Sequence, residues 1–166
     1  MMSYPIVEIF HSVQGEGYNS GESSIFIRFG RCNLRCEWCD TDFDVFEEMS
    51  IQQIAEKISK FNCKKIIFTG GEPALQNLEP LINKLRPHGY MFSIETNGTV
   101  ELPEGLIDWI CVSPKDQMYP HISIKQRFGD ELKCVYVGQD LSIYDELKEG
   151  FNHLYLQPCY DESKDV

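Results

Sequence analysis

Seven short apolar stretches, each rich in β-branched and aromatic residues, constrain the fold of this chain more than any other feature. They cover residues 6–10, 24–29, 65–69, 91–95, 108–113, 131–137 and 153–157. Each has the length and composition of a β-strand. Helical patterns separate several of them, and strands that alternate with helices are typical of parallel βαβ units. The sequence therefore predicts an α/β fold.

Three stretches between these strands favour helices. The first follows a capping box formed by Ser50 and Gln53, and its apolar residues share one helical face (Ile51, Ile54, Ala55, Ile58). The second runs from Pro73 to Pro87 with apolar residues at helical spacing (Leu75, Leu78, Ile82, Leu85). A third, weaker pattern predicts a short helix near 142–149.

Polar or glycine-rich clusters begin where the predicted strands end. They lie at 12–17, 30–41, 69–73, 95–98, 113–115 and 157–160. The carboxyl ends of parallel strands meet at one edge of a sheet or barrel, and such folds build their sites there. We therefore expect one composite site at the top of an open or partial barrel.

Composition limits the function classes that remain. The chain has 166 residues, which suits one domain, and its 15 basic and 26 acidic residues give a net charge of −11. A nucleic-acid binder would need a basic face, so that class is excluded, whereas a small anionic ligand is not. No apolar stretch approaches the length of a membrane span, and the first residues do not resemble a signal peptide. We expect a soluble cytoplasmic protein with no membrane partner.

Three of the seven cysteines, Cys32, Cys36 and Cys39, crowd into one short segment. An odd count with this spacing does not suit a disulfide framework. Zinc sites usually have four ligands, and no fourth Cys or His is close in sequence. Three thiolates suit three irons of a cubane cluster whose fourth iron stays open. Zinc with a distant fourth ligand and three buried structural cysteines remain as alternatives.

The spacing Cys-x3-Cys-x2-Cys, with Trp38 before the third cysteine, resembles the signature of radical S-adenosylmethionine enzymes. The segment Thr69-Gly-Gly-Glu-Pro73 resembles the second motif of that superfamily, whose backbone meets the methionine amino group. Two glycines allow this close approach to a ligand at a strand end. The resemblance implies a [4Fe–4S] cluster and S-adenosylmethionine, which together supply a 5′-deoxyadenosyl radical.

Further segments resemble the 7-carboxy-7-deazaguanine synthase family, in the family's order along the chain. They are Ser12-Val-Gln-Gly-Glu-Gly17, Cys39-Asp-Thr41, Glu95-Thr-Asn-Gly98, Asp108–Lys115, Glu131-Leu-Lys133 and Leu156-Gln-Pro158. The resemblance implies a carbon–nitrogen lyase of 7-deazapurine (queuosine) biosynthesis. Such an enzyme converts 6-carboxy-5,6,7,8-tetrahydropterin to 7-carboxy-7-deazaguanine with loss of ammonia. It also implies a shortened partial (β/α) barrel, a homodimer, and an electron donor of the flavodoxin or ferredoxin kind.

The resemblance assigns roles residue by residue. Cluster ligands are Cys32, Cys36 and Cys39, and Thr41 would help hold Mg²⁺. S-adenosylmethionine contacts are Trp38, Cys39, Asp40, Gly71, Ser113, Pro114, Lys115, Gln157, Pro158, Cys159 and Tyr160. Pterin contacts are Val13, Gln14, Gly15, Arg28, Thr69 and Glu95, of which Gln14, Arg28 and Glu95 are the expected catalytic residues. Arg28 can pair with a carboxylate through two hydrogen bonds, and Glu95 can accept hydrogen bonds from a guanidine-like pterin edge.

One departure from the family accompanies these matches. The sequence ends at Val166, where family members continue through a last helix and strand that close over the substrate. We therefore expect residues 1–166 to form a single radical S-adenosylmethionine domain without that segment, and to couple radical formation poorly to product. Two other functions stay open at this stage: an activase that makes a glycyl radical on a partner protein, and an iron–sulfur electron carrier.

Overall fold

A computed structural model describes residues 2–116 and 118–159, and it shows one eight-stranded sheet with two α-helices. The strands are β1 (Ser3–Val13), β2 (Ser23–Phe29), β3 (Glu47–Ser50), β4 (Lys65–Gly70), β5 (Met91–Thr96), β6 (Trp109–Val112), β7 (Gly129–Tyr136) and β8 (Phe151–Pro158). The helices are α1 (Ile51–Ile58) and α2 (Glu79–Leu85). No helix in this described part of the chain is long and apolar enough to cross a membrane.

The sheet follows the order β3-β1-β2-β4-β5-β6-β7-β8. From β2 to β8 every neighbouring pair is parallel, whereas β1 runs antiparallel to both β2 and β3. Strands β3 and β8 form the two edges, so the sheet is open. This arrangement confirms the predicted α/β partial barrel.

The seven predicted strands are all present, but the sequence pattern missed β3. Its residues, Glu-Glu-Met-Ser, are too few and too polar to stand out, and they form a strand because they pair with Ser3–Ile6 of β1. Helix α1 begins after Ser50 with both hydrogen bonds of the capping box, as predicted.

The other two helix predictions were partly wrong. A 3₁₀ turn covers Pro73–Leu75, and α2 begins only at Glu79. Pro80 explains the interruption, because a proline inside a helix removes a backbone donor and clashes with the preceding turn, whereas at a helix start it is tolerated. The 142–149 segment forms two 3₁₀ turns, Leu141–Tyr144 and Lys148–Gly150, and its Ser142 and Asp145 are residue types that favour turns over a helix interior.

The strand alternation separates an apolar face from a polar one. Ile27, Phe68 and Ile94 point to the face that packs against α1 and α2, where they join the main core. Alternate residues on the same strands, such as Arg28, Thr69 and Glu95, line a cavity on the other face. We call these the helix face and the cavity face.

The direction of β1 corrects the expectation that all six polar clusters lie at one edge. Val13 at the end of β1 pairs with Ser23 at the start of β2, so β1 ends at the opposite edge from the other strands. The Gln14-Gly-Glu-Gly17 cluster therefore approaches the cavity face from the amino-terminal edge of the parallel strands.

Candidate active site

A cavity of about 800 Å³ opens on the cavity face where the parallel strands end. Its wall comes from the cysteine loop after β2 and from the loops after β4, β5, β6 and β8. The lining residues used below are Glu16, Arg28, Cys32, Cys36, Trp38, Cys39, Asp40, Thr41, Thr69, Gly71, Glu95, Asn97, Ser113, Lys115, Lys133, Gln157, Pro158 and Cys159. Side chains that are distant in sequence thus meet in one cleft.

The three clustered cysteines are free thiols at one side of this cavity. The backbone N–H of Leu34 donates a hydrogen bond to the Cys32 sulfur at 3.4 Å. Among the described residues no three His, Cys, Asp or Glu side chains are grouped to hold one metal ion. A cubane places each cysteine on a different iron, so its ligands do not need to converge on a single point.

Gly71 brings the second motif against the cysteine loop. A Cβ atom built on Gly71 would lie 2.0 Å from the Arg31 carbonyl oxygen, so only glycine fits there. The Gly71 N–H bonds to the Phe29 carbonyl at 3.0 Å, and the Glu72 N–H bonds to the Arg31 carbonyl at 2.9 Å. Both motifs are consequently fixed relative to each other.

Burial raises the pKa of the Cys32 thiol, and also that of Cys36, where nearby Lys115 opposes the shift. Burial likewise lowers the pKa of Lys115, whose ammonium donates a hydrogen bond to the Ser113 carbonyl at 2.9 Å. Burial disfavours the thiolate form of these cysteines, and a nearby positive charge favours it. Bound iron would supply that charge.

Glu72 connects the second motif to the loop after β5. Its fully buried carboxylate accepts hydrogen bonds from the Thr96 hydroxyl at 2.7 Å, the Asn97 N–H at 2.7 Å and the Ala74 N–H at 2.9 Å. Burial raises the pKa of Glu72 although these hydrogen bonds oppose it. The Asn97 amide then reaches Asn33 of the cysteine loop at 3.0 Å. Three strand-end loops are therefore joined below the cavity.

Arg28 and Thr41 form a second polar group beside the cysteines. The Arg28 guanidinium donates to the Glu8 carboxylate at 2.7 Å and to the Thr41 hydroxyl at 3.0 Å. Thr41 in turn donates to the Asp40 carboxylate at 3.2 Å. Cation, hydroxyl and carboxylates thus stand together next to Cys39.

Glu95 lies across the cavity from this group, and both of its oxygens have partners. Oε1 accepts from the Gln14 amide at 3.1 Å, and Oε2 accepts from the Lys133 ammonium at 2.8 Å. Lys133 also donates to Glu16 at 2.8 Å. Gln14 does not line the cavity itself but lies buried behind Glu95.

Most of the residues that sequence reasoning selected are together in this cavity. Four are not: Val13 is mostly exposed at the end of β1, Gln14 is buried behind Glu95, Gly15 is exposed, and Pro114 is buried next to Ser113. Tyr160 lies outside the described residues. The roles given to all of these residues stay predictions.

Sequence reasoning gave no role to Lys133, Glu72 or Asn97, although each belongs to a segment that it quoted. The signal for Lys133 is its place in β7, where alternation puts a lysine on the same face as Glu131. A lysine in a buried strand needs an acidic partner, and this could have directed attention to Glu95 and Glu16.

The fold and this cavity define a class of enzyme, and comparison with known proteins agrees. Residues 26–125 match the model of the radical S-adenosylmethionine (Radical SAM) superfamily, so the chain belongs to that superfamily. Membership of the superfamily implies a [4Fe–4S] cluster and S-adenosylmethionine, and the three-cysteine loop at the cavity agrees with this.

Within that superfamily the chain belongs to the 7-carboxy-7-deazaguanine synthase family. It is 45% identical over 158 residues to the 7-carboxy-7-deazaguanine synthase of Bacteroides thetaiotaomicron, covering 95% of this chain and 83% of the relative. It is 42% identical to the Haemophilus influenzae enzyme of that name, covering 98% and 78%. The crystal structure of QueE from Escherichia coli superposes with a TM-score of 0.81 at 29% identity, over 99% of this chain and 85% of that one.

The residues present suit the group that this superfamily binds. The donor set is three free thiols on one cavity wall, and the Gly71 backbone passes so close to the loop that a side chain would not fit. The site therefore offers three thiols that could hold a cluster, within a cavity that also has room for S-adenosylmethionine.

Proposed function

We propose that this chain converts 6-carboxy-5,6,7,8-tetrahydropterin to 7-carboxy-7-deazaguanine, with loss of ammonia. The observation that carries the proposal is a single cavity whose wall contains the three thiols together with Arg28 and Glu95. The name shared by the relatives supports this substrate over the alternatives of a glycyl-radical activase and an electron carrier.

The cluster and S-adenosylmethionine, when bound, supply the radical that starts the ring contraction. Cys32, Cys36 and Cys39 would hold the cluster. The cofactor would lie between the cysteine loop and the ends of β4, β6 and β8, in contact with Trp38, Asp40, Gly71, Ser113, Lys115, Gln157, Pro158 and Cys159. That position is favoured because all of these residues line the same cavity.

The chain's own polar residues would bind and orient the pterin. The Arg28 guanidinium can pair with the substrate carboxylate, since carboxylates are bound in two-point fashion by arginine. Glu95, held by Gln14 and Lys133, can accept hydrogen bonds from the donor edge of the pterin ring. Thr69 is paired with Arg28 in the register of β4 against β2. It would contact the pterin ring between Arg28 and Glu95.

Thr41 and Asp40 provide hard oxygen atoms for Mg²⁺ next to Arg28. Magnesium commonly uses one or two protein oxygens, keeps several waters and bridges to an anionic substrate group. A magnesium ion at this point would neutralise the substrate carboxylate together with Arg28. We further propose a cytoplasmic homodimer that receives electrons from a flavodoxin-like or ferredoxin-like donor.

The reaction is tested by anaerobic incubation of reconstituted protein with the tetrahydropterin, S-adenosylmethionine, magnesium and dithionite. Mass spectrometry should find 7-carboxy-7-deazaguanine and 5′-deoxyadenosine. Omission of any one component should abolish the formation of 7-carboxy-7-deazaguanine. Formation of 5′-deoxyadenosine with every tetrahydropterin left intact would contradict the proposed substrate and leave the radical chemistry in place.

Cluster binding has its own test. Reconstituted protein should hold about four irons and four sulfides per chain. Changing Cys32, Cys36 or Cys39 to Ala should abolish the iron–sulfur absorption, whereas Cys63→Ala, in a thiol remote from the cavity, should keep it. Stoichiometric zinc without sulfide in anaerobically purified protein would contradict the cluster.

A further inference from the structure

Among the described residues of the site, the turn that joins β1 to β2, residues 14–22, is the one polar cluster that does not follow a parallel strand; we call it the hairpin tip. It is closed by hydrogen bonds from the Gln14 N–H to the Glu22 carbonyl and from the Gly21 N–H to the Gln14 carbonyl, both at 2.8 Å. Because the hairpin tip begins at the amino-terminal edge of the parallel strands, contacts with other elements must hold it against the cavity face.

Lys133 of β7 provides the first attachment. Its ammonium lies 2.8 Å from a carboxylate oxygen of Glu16, in the hairpin tip, and 2.8 Å from one of Glu95, in β5. Only 7% of the Lys133 side chain is exposed. Burial alone would lower the pKa of Lys133, but the Glu95 and Glu16 carboxylates raise it above its ordinary value, so the bridge stays charged.

Glu131, two residues earlier on the same face of β7, provides the second attachment. Its carboxylate accepts a hydrogen bond from the Tyr18 N–H at 3.1 Å. Gly17 permits this approach: a Cβ atom there would lie 1.9 Å from Glu131 Oε1, and the glycine has a φ of +69°. The Tyr18 ring continues the contact by stacking on His153 of β8, with centroids 4.0 Å apart.

We propose that Glu131 and Lys133 are positioning residues that hold the hairpin tip in place, so that Gln14 meets Glu95 in the substrate site. The inference deepens the proposed function and rests on it for the identity of the substrate. It gives a physical role to the Glu131-Leu-Lys133 segment. Lys133 donates a hydrogen bond to the Glu16 carboxylate of the tip, and Glu131 accepts one from the Tyr18 N–H of the tip.

The attachment itself is tested without substrate or cofactor, by hydrogen–deuterium exchange of the unloaded protein. Lys133→Met removes the ammonium and keeps most of the side chain's volume. Peptides that cover residues 14–22 should exchange at least tenfold faster in this variant, while peptides of β4 and β5 keep their wild-type rates. Lys148→Met, which removes an exposed lysine paired with Asp145, is the matched control and should leave the hairpin tip unchanged.

Glu16→Gln weakens the same attachment from the tip side, at a half-exposed position that does not endanger folding. Faster exchange of residues 14–22 is expected here also. In the double variant the second substitution should add little to the effect of the first, because both remove the same contact between Lys133 and Glu16. Wild-type exchange of the tip in Glu16→Gln and in folded Lys133→Met would overturn the proposal, and if Lys133→Met does not fold, Glu16→Gln alone decides.

The consequence for binding is measured separately on reconstituted enzyme. If the hairpin tip moves, Gln14 no longer holds Glu95, the proposed contact of the pterin donor edge, so KM for the tetrahydropterin should rise tenfold or more in Lys133→Met. Cleavage of S-adenosylmethionine by dithionite in the absence of pterin should continue at the wild-type rate. An unchanged KM with a faster-exchanging tip would refute the positioning role, whereas no turnover of this pterin by the wild type would refute the proposed function and leave the exchange result standing.

Discussion

At the scale of single residues, the group around Thr41 shows how a small side chain can carry a specific role. The hydroxyl accepts from Arg28 at 3.0 Å and donates to Asp40 at 3.2 Å, so it already joins a cation to a carboxylate at the cavity wall. The same pair of bonds would serve a merely structural hydroxyl. A hydroxyl that binds Mg²⁺ differs from a structural one because its loss should change the magnesium requirement of product formation.

Thr41→Val tests that difference, because valine keeps the shape and removes the oxygen. If Thr41 helps hold Mg²⁺, formation of 7-carboxy-7-deazaguanine should fall at least tenfold and should recover partly at higher magnesium, while reductive cleavage of S-adenosylmethionine persists. A magnesium titration of both products provides the measurement. An unchanged magnesium requirement would show that Thr41 only orients Arg28 and Asp40.

Cys134 gives a prediction on pH and stability. It lies in a second apolar core, separate from the main one, that also contains Leu132 and Tyr144. Burial raises the pKa of its thiol to about 12, with a further contribution from Asp116. The unfolded thiol ionises near 9, so the folded state binds the extra proton between these values. Stability should therefore be complete below pH 9 and decrease above it, by up to about 1.4 kcal/mol per pH unit for one group.

Urea unfolding at pH 8 and pH 10.5 checks this prediction. The loss of unfolding free energy between the two pH values should be smaller in Cys134→Ala than in wild type, although the variant is less stable at pH 8. Cys63→Ala, at a half-buried thiol outside that core, should keep the wild-type difference. Equal losses in all three proteins would mean that Cys134 does not resist ionisation.

At the scale of elements, sequence patterns predicted what alternation and composition determine, and missed what depends on pairing. Strands β2, β4 and β5 could be predicted because buried β-branched residues mark them, and the cysteine loop because its spacing is unusual. The direction of β1 could not, since an antiparallel and a parallel strand can have the same composition. The direction of β1 determines the edge from which Gln14 and Glu16 approach the site. It therefore also explains why the hairpin tip needs a contact such as the one with Lys133.

The contact between β4 and the cysteine loop gives the next prediction. Gly71→Ala would place a methyl group 2.0 Å from the Arg31 carbonyl, which is backbone and cannot move aside alone. We expect the cysteine loop to shift, with a loss of about 1–3 kcal/mol in stability, as is typical of overpacking. Iron content after reconstitution should fall several-fold.

Iron analysis and urea unfolding of Gly71→Ala are best compared with Gly15→Ala. A Cβ atom on Gly15 meets nothing within 4 Å, so that variant should retain both iron and stability. Full iron content in Gly71→Ala would contradict the view that the two motifs depend on one close backbone contact.

At the scale of the whole molecule, an acidic chain carries a cavity with three basic side chains, Arg28, Lys115 and Lys133. The net charge of −11 argues against a nucleic-acid surface, but it does not indicate where the few cations gather. Folding collects them because each lies on the cavity face or in a strand-end loop. Composition thus left a small anionic ligand open, and only the topology brings the cations to one place.

The open sheet also makes the two edges unequal, which leads to a last prediction. Among the described strands β8 pairs with β7 alone, and Leu154 and Leu156 on it are each 54% exposed, so its hydrogen exchange should respond to a bound ligand. Its end, Gln157–Cys159, lines the cavity opposite the cysteine loop. S-adenosylmethionine bound between the two should therefore slow hydrogen exchange in residues 151–159 at least tenfold. Strand β3, the other edge, has no cavity residue in it and should exchange at the same rate with and without the ligand. Exchange measured on cluster-loaded protein with S-adenosylmethionine and no reductant checks both edges in one experiment, and equal slowing at β3 and β8 would indicate a general stabilisation instead of a contact with β8.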